Sequence, residues 1–99
     1  MSTYQGKRTI DGIVVTVDGG RLDERYDVKC FTRHGFEWTY EGASPHQLAL
    51  AILVHHLGDP AEAVKLSGPF MTGVVAYLDN DWTLDSSAID AFLRGRDLA

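Results

Sequence analysis

The groups with chemistry to offer are four histidines, one cysteine and a set of clustered aspartates. His55 and His56 are consecutive, so on a helix they diverge by about 100°. A zinc site would need ligands at i, i+3 or i, i+4, with others converging on them. His46 lies nine and ten residues from that pair and on a different face, and His34 falls in a turn. The plainer reading is that His55 and His56 complement the dipole at a helix C-terminus. Cys30 has no second cysteine at ligand spacing and no base fixed beside it, so it reads as a small, half-buried hydrophobe. Asp79, Asp81 and Asp85 would suit a divalent cation, but their spacing is not that of an EF-hand loop and Trp82 and Leu84 interrupt them. Turn and cap roles suit them better. Gly19-Gly20 follow a strand, yet no helix follows to make a phosphate cradle. No catalytic residue, no metal ligand and no cofactor is therefore expected, and the chain reads as a non-enzyme.

Two stretches bear on recognition instead. Phe36, Trp38 and Tyr40 alternate with Glu37 and Thr39, and aromatics so spaced can stack on bases. No Lys or Arg is interleaved with them, so packing against a core helix is the better reading. The second stretch is Arg21-Leu22-Asp23-Glu24-Arg25-Tyr26-Asp27. Mixed charge marks it as exposed, and Arg and Tyr are common interface anchors. Arg21, Asp23, Glu24, Arg25 and Tyr26 are the expected interaction residues.

Chain length and charge narrow the classes. Ninety-nine residues make one domain with a single core. The net charge of -5 argues against direct nucleic-acid binding, which needs clustered Lys and Arg. A lone cysteine and a polar N-terminus without a signal-peptide core place the chain in the cytoplasm. The apolar helix that ends at Gly58 is too short to span a bilayer, and His55-His56 near its end argue against insertion, so no membrane role is expected.

The elements that must position these residues follow from pattern. Tyr4 to Ile10 reads as a strand, Asp11-Gly12 as a two-residue hairpin turn, and residues 13–17 as the return strand. Asp18-Gly19-Gly20 turns again. Val28 to Phe31 reads as a short third strand and Phe36 to Tyr40 as an aromatic fourth. Ser44, Pro45 and Gln47 make a capping-box start for a helix that is apolar nearly all round and ends at Gly58. Asp59-Pro60 starts a second helix, whose phase Leu66, Phe70, Val74 and Leu78 carry through Pro69. Trp82-Thr83-Leu84 lead into a last helix capped by Asp85, with Ile89, Phe92 and Leu93 buried and Gly95 at its end. The fold class is α+β: an N-terminal antiparallel sheet of three or four strands, covered by three or four C-terminal helices.

The segment Gly-Phe-Glu-Trp-Thr-Tyr-Glu-Gly at 35–42, then Ser-Pro-His-Gln-Leu-Ala-Leu-Ala-Ile-Leu at 44–53, then Trp-Thr-Leu at 82–84 before Ile89 and Phe92, resembles a family of small uncharacterised bacterial and phage domains. The resemblance covers most of the chain. It departs at Ser44-Pro45, where the family has an intervening Gly, and at the Gly68-Pro69 interruption. It implies a compact α+β domain and brings no activity and no catalytic residues.

The function expected from all this is a small acidic protein-binding module that occupies a host protein or protein complex. A phage or mobile-element origin, and an anti-defence role of the kind played by inhibitors of CRISPR systems, follow by analogy only. The alternative is a small-molecule site between sheet and helices near His55 and Trp38. A small enzyme is the third and weakest reading.

Overall fold

A computed structural model describes residues 2–98, with side chains described through residue 95. It is α+β, as expected. Strands β1 (Thr3–Thr9) and β2 (Gly12–Val17) form an antiparallel hairpin in which Tyr4 faces Val17 and Gly6 faces Val15. The alternation buries Tyr4, Gly6 and Val15 on one face and leaves Gln5, Lys7 and Val14 on the other. The turn sits one residue earlier than the sequence suggests. Ile10 and Asp11 make it, while Gly12 pairs with Thr9 at φ 120°, where a side chain would be strained. Asp18 and Gly19, both at positive φ, then turn the chain into the two-residue β3 (Gly20–Arg21).

The remaining strand comes from the far end of the chain. β4 (Trp82–Asp85) pairs antiparallel with β1, giving the sheet order β3-β2-β1-β4. These residues were expected to lead into a helix. Their period-two pattern, with Trp82 buried and Thr83 exposed, is that of a half-buried strand. Gly6 makes the pairing possible, because the Trp82 indole lies where a Cβ on residue 6 would be. Asp85 ends the strand and caps the next helix, accepting from the Ala88 N–H at 2.9 Å.

Neither of the other two expected strands forms. Residues 22–42 are irregular, and Thr39 sits at φ 79°. Phe36 and Trp38 are buried as the alternation suggests, but Tyr40 is half exposed. The backbone of the loop before them, residues 24–32, is held by a side chain rather than by a ladder. Gln47, wholly buried, accepts from the N–H of Phe31 at 2.8 Å and of Thr32 at 3.4 Å. Its amide NH2 donates to the carbonyls of Glu24 at 2.8 Å and Lys29 at 2.9 Å. Cys30 in this loop is exposed, not half buried, with its thiol near the Thr32 carbonyl at 3.4 Å.

This use of Gln47 overturns the capping box at Ser44. Helix α1 (Ala43–Leu57) begins two residues earlier, with Gly42 in extended backbone at its N-cap and no side-chain cap bond. Residues 47–54 are all buried, as a helix sandwiched between layers requires. Gly58 closes it in the left-handed conformation, donating to the Val54 carbonyl. Asp59 caps α2 (Pro60–Gly73) by accepting from the Glu62 N–H at 3.2 Å. α2 passes through Pro69, with Phe70 fully buried and Leu66 and Val74 against the core. It stops at Gly73, where the Phe92 ring occupies the space a side chain would need. A 3-10 turn (Val75–Tyr77) carries the chain on, and Leu78 still faces the core. α3 (Ser86–Leu98) buries Ile89, sets Phe92 edge-on to Phe70 at 5.5 Å, and continues past Gly95 rather than ending there.

Candidate interaction cleft

The segment carrying the expected interaction residues leaves the sheet at β3. The Leu22 N–H still donates to the Val15 carbonyl at 3.0 Å, and the Leu22 side chain is buried, so the segment is anchored at its start. Asp23 then accepts from the Arg25 N–H at 2.7 Å, a local Asx turn that holds Arg25 at φ 59°. Arg21 reaches both carboxylate oxygens of Glu24, at 2.7 and 2.6 Å. Arg25 grips Asp27 through Nε at 3.0 Å and a terminal nitrogen at 3.1 Å. That grip holds the Asp27 carboxyl below the usual carboxylate range. Such exposed pairs add little stability. They fix the shape of an exposed loop.

Two hollows flank this segment. The larger, about 770 Å³, opens between β2 and the loop 34–40. Ile13, Val15, Leu22 and Phe36 form its apolar wall, and Arg21, Glu24, His34, Glu37, Tyr40 and Ser44 its polar side. The smaller, about 190 Å³, lies between the segment and α1, with Asp23, Arg25 and His55 beside Val17 and Ala51. Arg21 and Leu22 line both. The expected set is thus split: Arg21 and Glu24 face the large cleft, Arg21, Asp23 and Arg25 the small one, and Tyr26 neither. His55 lines the small hollow, whereas Trp38 lines neither of the two and instead donates to the Asn80 carbonyl at 3.1 Å.

Most of the titratable groups are tied into the framework. The Tyr4 hydroxyl meets His55 Nδ1 at 2.7 Å. Burial first, then the Asp18 charge, pushes the Tyr4 phenol up to about 12, so it stays protonated. His56 Nε2 pairs with Asp90 at 2.7 Å. His46 stacks on Phe31 at 3.6 Å and meets the Ser67 hydroxyl at 3.0 Å, and burial lowers its pKa. His34 alone of the four lines the large cleft. Of the three clustered aspartates, Asp85 caps α3 as expected, whereas Asp81 receives the Arg8 N–H at 3.3 Å from the distant strand β1. Among the described residues, no three of His, Cys, Asp and Glu form a group that would hold a metal ion.

Sequence reasoning missed Arg8, Glu37 and Gln47. Arg8 bonds Glu37 at 2.8 Å, lies 4.6 Å above the Trp38 ring and donates to the Trp38 carbonyl at 3.2 Å. It thereby fixes the far wall of the large cleft. Nothing in the sequence links it to a partner 29 positions away. Gln47 did leave a signal: a lone amide inside an otherwise apolar helix must find buried partners.

No helix among the described residues is long and apolar enough to cross a membrane. No curated protein and no solved structure matches the chain. Residues 4–95 match a family model, in keeping with the resemblance seen in the sequence, and the chain belongs to that family of unknown function, DUF6166.

Proposed function

We propose that this chain is a small protein-binding module that acts by occupying the surface of a host protein or protein complex. The observation that carries the reading is the placement of Arg21. It ends β3 where an exposed loop stiffened by ion pairs begins, and it lines both hollows beside their apolar residues. A rigid loop presenting Arg beside apolar pockets is the usual form of an interface anchor, because little ordering entropy is lost on docking. The acidic chain and its phage-like family resemblance make an anti-defence inhibitor the specific form we carry, by analogy. The test is capture of host proteins by wild type and by Arg21→Ala/Arg25→Ala/Tyr26→Ala, after both melting curves are matched. Loss of a reproducible partner in the triple variant is expected. Equal capture by a folded triple variant would refute the assignment.

A second reading rests on the same cleft. Its volume of about 770 Å³ is that of a small-molecule site, and Phe36 with Glu37 and His34 offers apolar and polar contacts. A thermal-shift screen against metabolites and nucleotides tests it, and a ligand that perturbs Phe36 and His34 would favour it over the module.

A further inference from the structure

The large cleft contains a free strand edge. Bond parity shows it: the Asp18 N–H donates to Thr3 and the Leu22 N–H to Val15. Residues 14, 16 and 18 therefore turn their backbone groups to β1, and residues 13, 15 and 17 turn theirs to the β3 side. β3 pairs with Thr16 and Val17, and Leu22 satisfies Val15. The chain then leaves at Asp23, and the Glu24 carbonyl goes to Gln47. The place opposite Ile13 is empty of chain, so the Ile13 N–H and C=O point into the cleft without a partner among the described residues. From Gly12 to Val15 the cleft follows β2 for about 10 Å, room for roughly three extended residues.

We infer that the cleft takes an extended segment of a partner protein as an added strand, hydrogen-bonded to both backbone groups of Ile13 and continuing the line that β3 abandons. This rests on the protein-binding reading above and specifies its mode. An added strand satisfies edge groups that nothing else in the fold covers. Side chains alternate along it, so one falls against the apolar wall of Val15 and Phe36 while its neighbours face the polar side. On that side Glu24 is paired with Arg21 and Glu37 with Arg8, so the charge preference comes from the chain's net charge of -5, which favours a basic segment. The segment is therefore apolar at its centre and basic at its flanks. The opposite sheet edge, β4, presents Thr83 and borders neither hollow, so the preference for β2 has a structural cause.

The probe is a set of linear peptides selected from a display library on the full chain. The peptides are measured by fluorescence anisotropy, and by hydrogen exchange of the amides of the ¹⁵N-labelled protein. A variant with the Gly12–Ile13 amide replaced by an ester removes one donor, and ligation of synthetic 1–29 to 30–99 at Cys30 gives access to it. We expect basic, centrally apolar peptides that slow Ile13 N–H exchange at least about tenfold and bind the ester variant about tenfold more weakly. The exchange measurement on wild type stands alone if the ester variant does not fold. Peptides that shift Phe36 and His34 resonances but leave Ile13 exchange unchanged would overturn strand addition and leave the module reading intact. Acidic peptides in that site would overturn the assigned charge. Recovery of no cleft-binding peptide would overturn the inference, and the module reading would then be decided by the Arg21/Arg25/Tyr26 capture test.

Discussion

Replacing Gln47 tests the load carried by a single side chain. Its amide makes bonds of 2.8, 2.8 and 2.9 Å to Phe31, Glu24 and Lys29, and a long one of 3.4 Å to Thr32. Three good hydrogen bonds at about 1 kcal/mol net each come to about 3 kcal/mol. Gln47→Ala also empties a fully buried site, which adds about 1 kcal/mol or more. The expected loss is thus about 4 kcal/mol, a large part of the 5–15 kcal/mol typical of a domain. Gln47→Leu keeps most of the volume and should recover only the cavity part, leaving about 3 kcal/mol lost. Gln47→Glu is the sharper variant: it keeps the acceptor for Phe31 but turns an anionic oxygen toward the carbonyls of Glu24 and Lys29. It should be at least as damaging as Gln47→Leu at neutral pH and less so in acid, where a protonated carboxyl again donates. Urea titration gives the free energies, and amide exchange over residues 22–34 shows where protection is lost. A loss under 1 kcal/mol for Gln47→Leu, with exchange in that loop unchanged, would refute the view that this amide holds the loop.

Ser44→Ala should change stability by no more than about 0.5 kcal/mol in urea, since Ser44 makes no cap bond. Gly6→Ala should cost about 1–3 kcal/mol, because the new methyl must displace the Trp82 indole, and Trp82 fluorescence should shift with it. Burial, and then the Lys29 charge, holds the folded pKa of His46 below its ordinary 6.5. The unfolded chain then binds the proton first, so this contribution is present above about pH 6.5 and is lost as pH falls through the folded value. His46→Gln should flatten that part of the stability–pH curve, and an unchanged curve would assign the slope elsewhere.

The helices were legible because their signals are local. Gly58, Asp59-Pro60 and Asp85 each act within four residues, and the apolar run of α1 has few alternatives to burial. The hairpin was legible for the same reason. β4 was not, because its partner β1 lies nearly 80 residues away and only the fit of Trp82 over Gly6 declares the pairing. The strands expected at 28–31 and 36–40 failed for a related cause. Alternation says which side chains are buried, and Phe36 and Trp38 are, but it does not say whether a neighbouring strand supplies the hydrogen bonds. The segment 21–27 was legible as an exposed charged stretch, whereas the cleft beside it depends on Glu37, Arg8 and Phe36, which only the fold brings together.

The missing strands and the cleft have one origin. Had Val28–Phe31 formed a strand beside β2, its backbone would have consumed the edge groups of Ile13 and filled the space now open between β2 and the loop 34–40. The backbone of that loop must still find partners where it passes over the core. Gln47 supplies them from α1, at the cost of placing an amide in an apolar helix and forfeiting the capping box with Ser44. Held from beneath in this way, residues 23–34 stand off the sheet while the Arg21–Glu24 and Arg25–Asp27 pairs keep their outer surface fixed. An open edge that is rigidly framed on both sides is poor at pairing indiscriminately, because only a segment able to thread the cleft reaches it. The buried amide is therefore the residue on which both the loop and the opening beside β2 depend.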